Sequence, residues 1–152
     1  MKVRFKRVHP NAEIPTKAHR TDAGFDLVAT SRQFDELGNI VYGTGIAVEI
    51  PEGYAGLIFP RSSICKYDLA LTNAVGVIDA NYRGEITAKF KPSLRRSKFS
   101  GDGCSPVSPN LYEVGERIAQ MVILPYPEIE FEETDTLTDT ERGNGGYGST
   151  GR

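Results

Sequence analysis

The residues most able to do chemistry lie between Thr72 and Glu85, in the run Thr-Asn-Ala-Val-Gly-Val-Ile-Asp-Ala-Asn-Tyr-Arg-Gly-Glu. Asp79 ends the apolar stretch Val75-Gly76-Val77-Ile78, where a carboxylate is costly unless something pairs with it or uses it. It either opens a turn by bonding backbone two residues on, or it serves as a base. Arg61-Ser62-Ser63 follows an apolar run and offers a guanidinium and two hydroxyls, a set suited to phosphate or to a helix cap with a surface arginine. Gln120 lies inside an apolar strand, so its amide is satisfied by the core or aimed at a ligand or water. Asp26 poses the same choice between a paired carboxylate and one facing the water shell of a hard metal. The C-terminal run Arg142-Gly-Asn-Gly-Gly-Tyr147-Gly-Ser149-Thr150-Gly is glycine-rich backbone with hydroxyls, one aromatic and an arginine. Such a run can close on phosphates and stack on a base, or be a flexible terminus with no role. It lacks the lysine and following helix of a P-loop. A carboxylate base, phosphate-gripping hydroxyls and a hard-metal anchor together suit water attack on a phosphoanhydride.

These groups need a scaffold, and the pattern predicts short strands separated by turns. Lys2–Val8 alternates basic and apolar residues as a half-exposed strand, and His9 to Thr21 reads as loop. Strands follow around Asp26, at Ile46–Ile50 and at Tyr54–Phe59, with turns at Gly38-Asn39 and Pro51-Glu52-Gly53. Ser62 or Ser63 is placed to cap one short helix running to Leu71. Thr72 to Lys91 reads as a hairpin, its second strand beginning at Glu85. Pro92 to Asn110 is a long loop with the basic cluster Arg95-Arg96-Ser97-Lys98, either a solvated insertion or a partner-binding segment. A buried strand is expected over Arg117–Leu124 and a last one over Tyr126–Phe131. Glu132–Glu141 is acidic and threonine-rich and reads as a mobile linker. This predicts an all-β barrel or sandwich at 1–131 and a flexible C-terminal arm at 132–152.

Composition narrows the function. The net charge of −2 gives no global pull toward nucleic acid or an anionic membrane, so an anionic ligand needs a local site. Cys65 and Cys104 suggest two reduced thiols in a cytoplasmic protein rather than a disulfide framework or zinc site. The basic N-terminus has no apolar region after it, so no signal peptide is expected, nor any membrane span. The apolar share of 39% leaves room for a polar tail or for a core completed by other subunits.

The chain resembles the trimeric dUTPases, on five motifs in order: Ala23-Gly24-Phe25-Asp26-Leu27, Pro60-Arg61-Ser62-Ser63, Asn73 through Gly84, Gly115-Glu116-Arg117-Ile118-Ala119-Gln120, and Arg142 through Gly151. The resemblance implies a homotrimeric, distorted jelly-roll β-barrel that hydrolyses dUTP to dUMP and pyrophosphate, limiting uracil in DNA and supplying dUMP for dTMP synthesis. It implies that Asp79 activates the water attacking the α-phosphorus, with Gln120 holding that water. Tyr82 would pack under the sugar and exclude a ribose 2′-hydroxyl. Asn73 and the backbone of Gly76, Val77 and Ile78 would read uracil. Arg61, Ser62 and Ser63 would hold phosphates, and Asp26 a magnesium ion through its waters. The arm would close with Tyr147 on the base and Arg142, Gly146, Gly148, Ser149 and Thr150 around the nucleotide. In such trimers each site draws on three subunits. Three features depart from the pattern: Tyr147 in place of the usual Phe, Asn81 where an acidic residue is common, and a longer 92–110 loop open to a protein partner. The same fold also admits a deoxycytidine-nucleotide deaminase, and the same pocket a non-catalytic nucleotide sensor. A cytoplasmic location is expected, with the nucleus or a host cytoplasm as alternatives.

Overall fold

The computed structural model describes residues 1–93 and 109–146, together with the backbone of 95–96 and 106–107. Its strands are β1 (Arg4–Arg7), β2 (Phe25–Val28), β3 (Ser31–Phe34), β4 (Ile40–Gly43), β5 (Ile46–Glu49) and β6 (Tyr54–Pro60). They continue with β7 (Leu69–Leu71), β8 (Gly76–Ile78), β9 (Thr87–Pro92), β10 (Arg95–Arg96), β11 (Pro106–Val107) and β12 (Arg117–Pro125). Two four-stranded antiparallel sheets, ordered β2-β12-β6-β8 and β3-β4-β9-β7, form the jelly-roll-like body. The pairs β1-β5 and β10-β11 complete it. No helix among the described residues is long and apolar enough to cross a membrane.

Period-two alternation explains the core. In β9, Ala88 and Phe90 face inward while Thr87, Lys89 and Lys91 face outward. Phe90 meets Tyr42 edge-on at 5.8 Å, and Tyr112 packs against both. Ile58, Ile118, Ala119 and Leu27 supply the other sheet's side of the same cluster. The Tyr42 hydroxyl, wholly buried, donates to the Tyr112 carbonyl at 2.9 Å, so its burial leaves no orphan donor. At the β3–β4 turn the Asp35 carboxylate accepts the Leu37 and Asn39 N–H groups, with Lys89 3.0 Å away. Hydrogen bonds from Asn39 and Lys89 hold that carboxyl well below the usual range.

Four local readings give way to tertiary pairing. The helix expected to run to Leu71 is a 3-10 helix of five residues, Ser62–Lys66; Arg61 is its N-cap, and no side chain caps it. Leu69 and Leu71 are buried instead by pairing β7 with β9, which a helix could not achieve. The strands on either side of Asp79 do not form a hairpin. β8 pairs with β6, whereas β9 pairs with β4 and β7 in the other sheet. The strand expected over Tyr126–Phe131 has no ladder: β12 ends at Pro125, and Pro127 also lacks an N–H to donate. β1 is exposed along all four of its residues rather than on one face.

Burial pushes the phenols of Tyr42, Tyr67 and Tyr112 up from their ordinary value. Folding therefore favours their neutral forms. That contribution is fully present below the unfolded value of about 10 and is lost as pH rises through the raised folded values. Ultraviolet titration of the native protein should show these three tyrosines ionising above the ordinary value of about 10. Ionisation of all three at that ordinary value in the folded state would contradict the packing described.

Candidate active site

Three strands bring together residues that are far apart in the chain. β12 lies between β2 and β6, and its register sets Gln120 opposite Asp26 on one side and Phe59 on the other. Ala119 faces Pro60, so Arg61 emerges from the end of β6 beside the same point. The result is a cavity of about 340 Å³ lined by Gly24, Asp26, Arg61, Ser62 and Gln120, among others.

Its centre is an ion network. Asp26 Oδ1 accepts Arg61 Nε at 2.7 Å, and Oδ2 accepts Arg117 Nη1 at 3.0 Å, with Arg61 Nη2 3.5 Å away. The Asp26 side chain is only 13% exposed, so the carboxylate is paired where it is dehydrated. Two guanidinium groups share the Asp26 carboxylate, and a guanidinium can also bond an anionic ligand; Asp22 lines the same cavity. Arg61 Nη1 also reaches Ser63 Oγ at 3.3 Å. Behind Ser63 the Tyr112 hydroxyl is buried, with no hydrogen-bond partner in good geometry among the described residues. Burial pushes its phenol up, while Ser63 and Arg61 are close enough to oppose that shift.

Gln120 is held by its donor end. Its Nε2 donates to the Pro60 carbonyl at 3.0 Å. Its Oε1 sits against Gly24, where an added Cβ would lie 2.4 Å from it. A side chain at 24 would displace the Gln120 amide, a role for glycine that neither its type nor its neighbours disclose in sequence. Arg117 likewise has no role that sequence reasoning could find, because its partner lies 91 positions away.

A second cavity, about 250 Å³, collects Asn73, Gly76, Val77 and Ile78 over an apolar floor that includes Ile58 and Leu71. Gly76 lets β8 approach β6 closely: a Cβ there would meet the Ile58 Cβ at 3.2 Å. Asn73 is positioned by a γ-turn. The Val75 N–H donates to the Asn73 carbonyl, and Ala74 between them has φ 57°. A positive φ without glycine stores strain of about 1–3 kcal/mol, and such strain gathers at ligand sites.

Asp79 is in neither cavity. It is exposed on a wider cleft of about 970 Å³ with Lys2, Arg4, Arg83 and Tyr126. Its carboxylate does not open the turn; its carbonyl does, accepting the Tyr82 N–H at 3.1 Å. Among the described residues the carboxylate has no partner, so it is available to a ligand or to water. Val77 lines both this cleft and the second cavity. Tyr82 is 42% exposed and folds over its own turn, its hydroxyl donating to the Glu85 carbonyl at 2.9 Å. Arg142 and Gly146 are exposed in the C-terminal segment, where Arg142 Nε donates to the Gly145 carbonyl. Tyr147, Gly148, Ser149 and Thr150 lie outside the described residues.

The donors present do not form a cage for a bare metal ion. Among the described residues no cluster of three His, Cys, Asp or Glu side chains could hold one. Asp26 fits a gentler task. A carboxylate offers about four lone-pair positions. The arginines take up to three of them. One remains for a water of a hydrated ion that a ligand itself carries, which is how magnesium is usually held.

The model of the dUTPase family matches residues 10–99 and 106–151, which contain all five motifs named above. The deoxyuridine 5′-triphosphate nucleotidohydrolase of Corynebacterium diphtheriae is 42% identical over 151 residues, covering 98% of this chain and 92% of that protein. A dUTPase of Staphylococcus bacteriophage 80alpha, solved with dUpNHpp, superposes with a TM-score of 0.80 at 29% identity and 99% coverage of both chains. The dUTPase of phage phi11 of S. aureus, described with a structural Mg(II) ion, superposes with a TM-score of 0.69 at 26% identity, covering 90% of this chain and 98% of that one.

The contact between Gly24 and Gln120 can be tested by a mutant cycle. Gly24→Ala should cost about 1–3 kcal/mol in denaturant unfolding, the usual cost of forcing a methyl into a filled space. Adding Gln120→Ala should recover most of that loss. Strict additivity of the two changes would show that they do not meet.

Proposed function

The chain belongs to the dUTPase family, and on that premise we propose that it is a dUTP diphosphatase, releasing dUMP and pyrophosphate. The family match across all five motifs carries this reading. The cavity that gathers the Arg61 guanidinium, the Ser62 hydroxyl and the Gln120 amide beside Asp26 supports it as a grip for a triphosphate. The apolar cavity with Asn73 at its edge supports it as a seat for a flat base with polar edges.

In this reading the Asp79 carboxylate takes a proton from water as the water oxygen bonds to the α-phosphorus. The bond from that phosphorus to the bridging oxygen breaks, and pyrophosphate leaves. Gln120 holds the water and Arg61, Ser62 and Ser63 the phosphates, with Arg61 and Arg117 kept in place by Asp26. Tyr82 underlies the sugar, and the backbone at Gly76–Ile78 leaves no space for a 5-methyl group. Discrimination by clash suits a small difference in the base. Asp26 would hold a magnesium ion through its waters, and that ion would supply charge neutralisation on the phosphates.

Asp79, the phosphate cavity and the base cavity open separately in the single chain, which supports a site assembled between subunits of a homotrimer. Exposed apolar side chains support the same reading, above all Val77 at 61%, Ile129 at 66% and Phe131 at 95%. The arm, 132–152, closes over the nucleotide and excludes water other than the nucleophile. The product is the substrate class for a methylation at the uracil 5-position, and removal of dUTP keeps uracil out of DNA.

Pyrophosphate release should be seen from dUTP and be far slower from dTTP, dCTP and UTP. Asp79→Asn should lower kcat by roughly a thousand-fold, within the range for loss of a general base, with the fold retained. Equal release from dTTP, or an active Asp79→Asn enzyme, would overturn the assignment. A chain ending at Glu141 should assemble normally yet turn over at least about ten-fold more slowly, as expected when a closing element is removed. An unaltered rate in the truncated protein would remove the arm from the mechanism.

A further inference from the structure

The 3-10 helix that presents Ser62 and Ser63 buries none of its five residues. Half-buried Ile64 packs against the core and Arg61 anchors the N-terminal end to Asp26, so the C-terminal end must be set by the residues that follow it. Tyr67 and Asp68 do this. The Tyr67 ring lies 3.8 Å from that of Tyr112, and its hydroxyl donates to Glu116 Oε1 at 3.1 Å. Glu116 precedes Arg117, which holds Asp26.

Asp68 is 6% exposed and, among the described residues, is bonded through its N–H, its carbonyl and its carboxylate. Its N–H donates to the Asn110 carbonyl at 2.9 Å, and its carbonyl accepts the Ser93 N–H at 2.8 Å. Its Oδ2 accepts the Asn110 N–H at 2.8 Å. The Asn110 side chain then donates to the carbonyl of Lys66, the last residue of the helix, at 2.8 Å. Ser93 and Asn110 are the two stems of the 92–110 connection. Both are tied to one buried aspartate, and one of them also to the helix itself.

We propose that Asp68 is a positioning residue for the phosphate grip, coupling both stems of the 92–110 connection to the helix that presents Arg61, Ser62 and Ser63. The proposal rests on the reading of that cavity as a triphosphate site. Loss of the Asp68 carboxylate removes its bond to the Asn110 N–H and loosens that stem, and with it the Asn110 amide that holds the Lys66 end of the helix. A grip free to move must be ordered on binding, which weakens affinity for the phosphates. The base cavity is held separately, by pairing of β8 with β6 and of β7 with β9. The coupling is therefore selective: it acts on the polyphosphate and not on the nucleoside.

The experiment compares the full chain with Asp68→Ala and Asn110→Ala. Binding of α,β-imido-dUTP and of deoxyuridine is measured by calorimetry, and amide exchange by mass spectrometry. Both variants should bind the analogue more weakly, by roughly ten-fold in Asp68→Ala, an ordinary cost of a slightly misplaced binding group. Deoxyuridine affinity should stay the same. Amides of Ile64 and Tyr67 should exchange faster while those of β12 do not. Equal weakening of both ligands would mark a merely structural role and overturn the proposal, as would unchanged exchange at Ile64 and Tyr67. Asn110→Ala removes only a side-chain bond at an exposed position, so it decides the matter if Asp68→Ala fails to fold. Failure of the native chain to hydrolyse dUTP would overturn the hydrolase reading instead, and the exchange comparison would still decide the role of Asp68.

Discussion

β12 can satisfy both of its edges only by lying between β2 and β6, and the cavity of Asp26, Arg61 and Gln120 follows from that placement. A central strand has no freedom of register. A slip of one residue would turn Ala119 and Met121 out of the core and Gln120 into it. The pairing that buries these side chains is therefore the pairing that sets Gln120 across from Asp26 and brings Arg61 to the end of β6. Asp26 then makes the arrangement costly to alter. Removing its carboxylate would leave two guanidinium groups facing each other in a half-buried space, a far larger loss than the net worth of either ion pair. Structure and site thus share one set of constraints on these three strands.

The two cavities are shaped by close approaches that side chains would prevent. Gly24 admits the Gln120 amide, and Gly76 admits β8 to the side of β6. Ala74 accepts a strained φ so that Asn73 stands at the edge of the second cavity. Strain of this kind persists only when the surroundings over-determine it. Here β8 on one side and β7 on the other, in different sheets, pull the connecting residues into the turn.

The surface supports the view that one chain is not the working unit. Asp79 faces a cleft with the basic residues Lys2, Arg4 and Arg83, away from the cavity of Arg61 and Gln120. An unpaired carboxylate, an exposed tyrosine beside it and a run of exposed apolar residues beyond β12 are unusual together on an isolated domain. Each has a purpose if a neighbouring copy covers it. The low apolar share of the composition points the same way, since a core completed between chains needs less apolar residue in each.

The polar groups of the candidate site were visible in the sequence because residue type and local pattern mark them. Asp79, Gln120, Asp26 and the run Arg61-Ser62-Ser63 stand out as polar groups set against apolar strands, and the strand around each is visible as local alternation. β2, β5, β6 and β12 lie close to where that alternation places them for the same reason: period two is a local property. What the sequence could not decide was which strands meet. Thr72–Lys91 reads as a hairpin because its turn residues are local, yet its strands join different sheets. Ser62–Leu71 reads as a capped helix because burial of Leu69 and Leu71 by β9 depends on a partner about twenty residues away. Gly24 and Arg117 gain their roles only from contacts across the sheet, and Asp68 from the two ends of a long connection. Residue identity determines what a group can do, whereas register between distant strands, set by the burial of one common core, determines which groups can do it together.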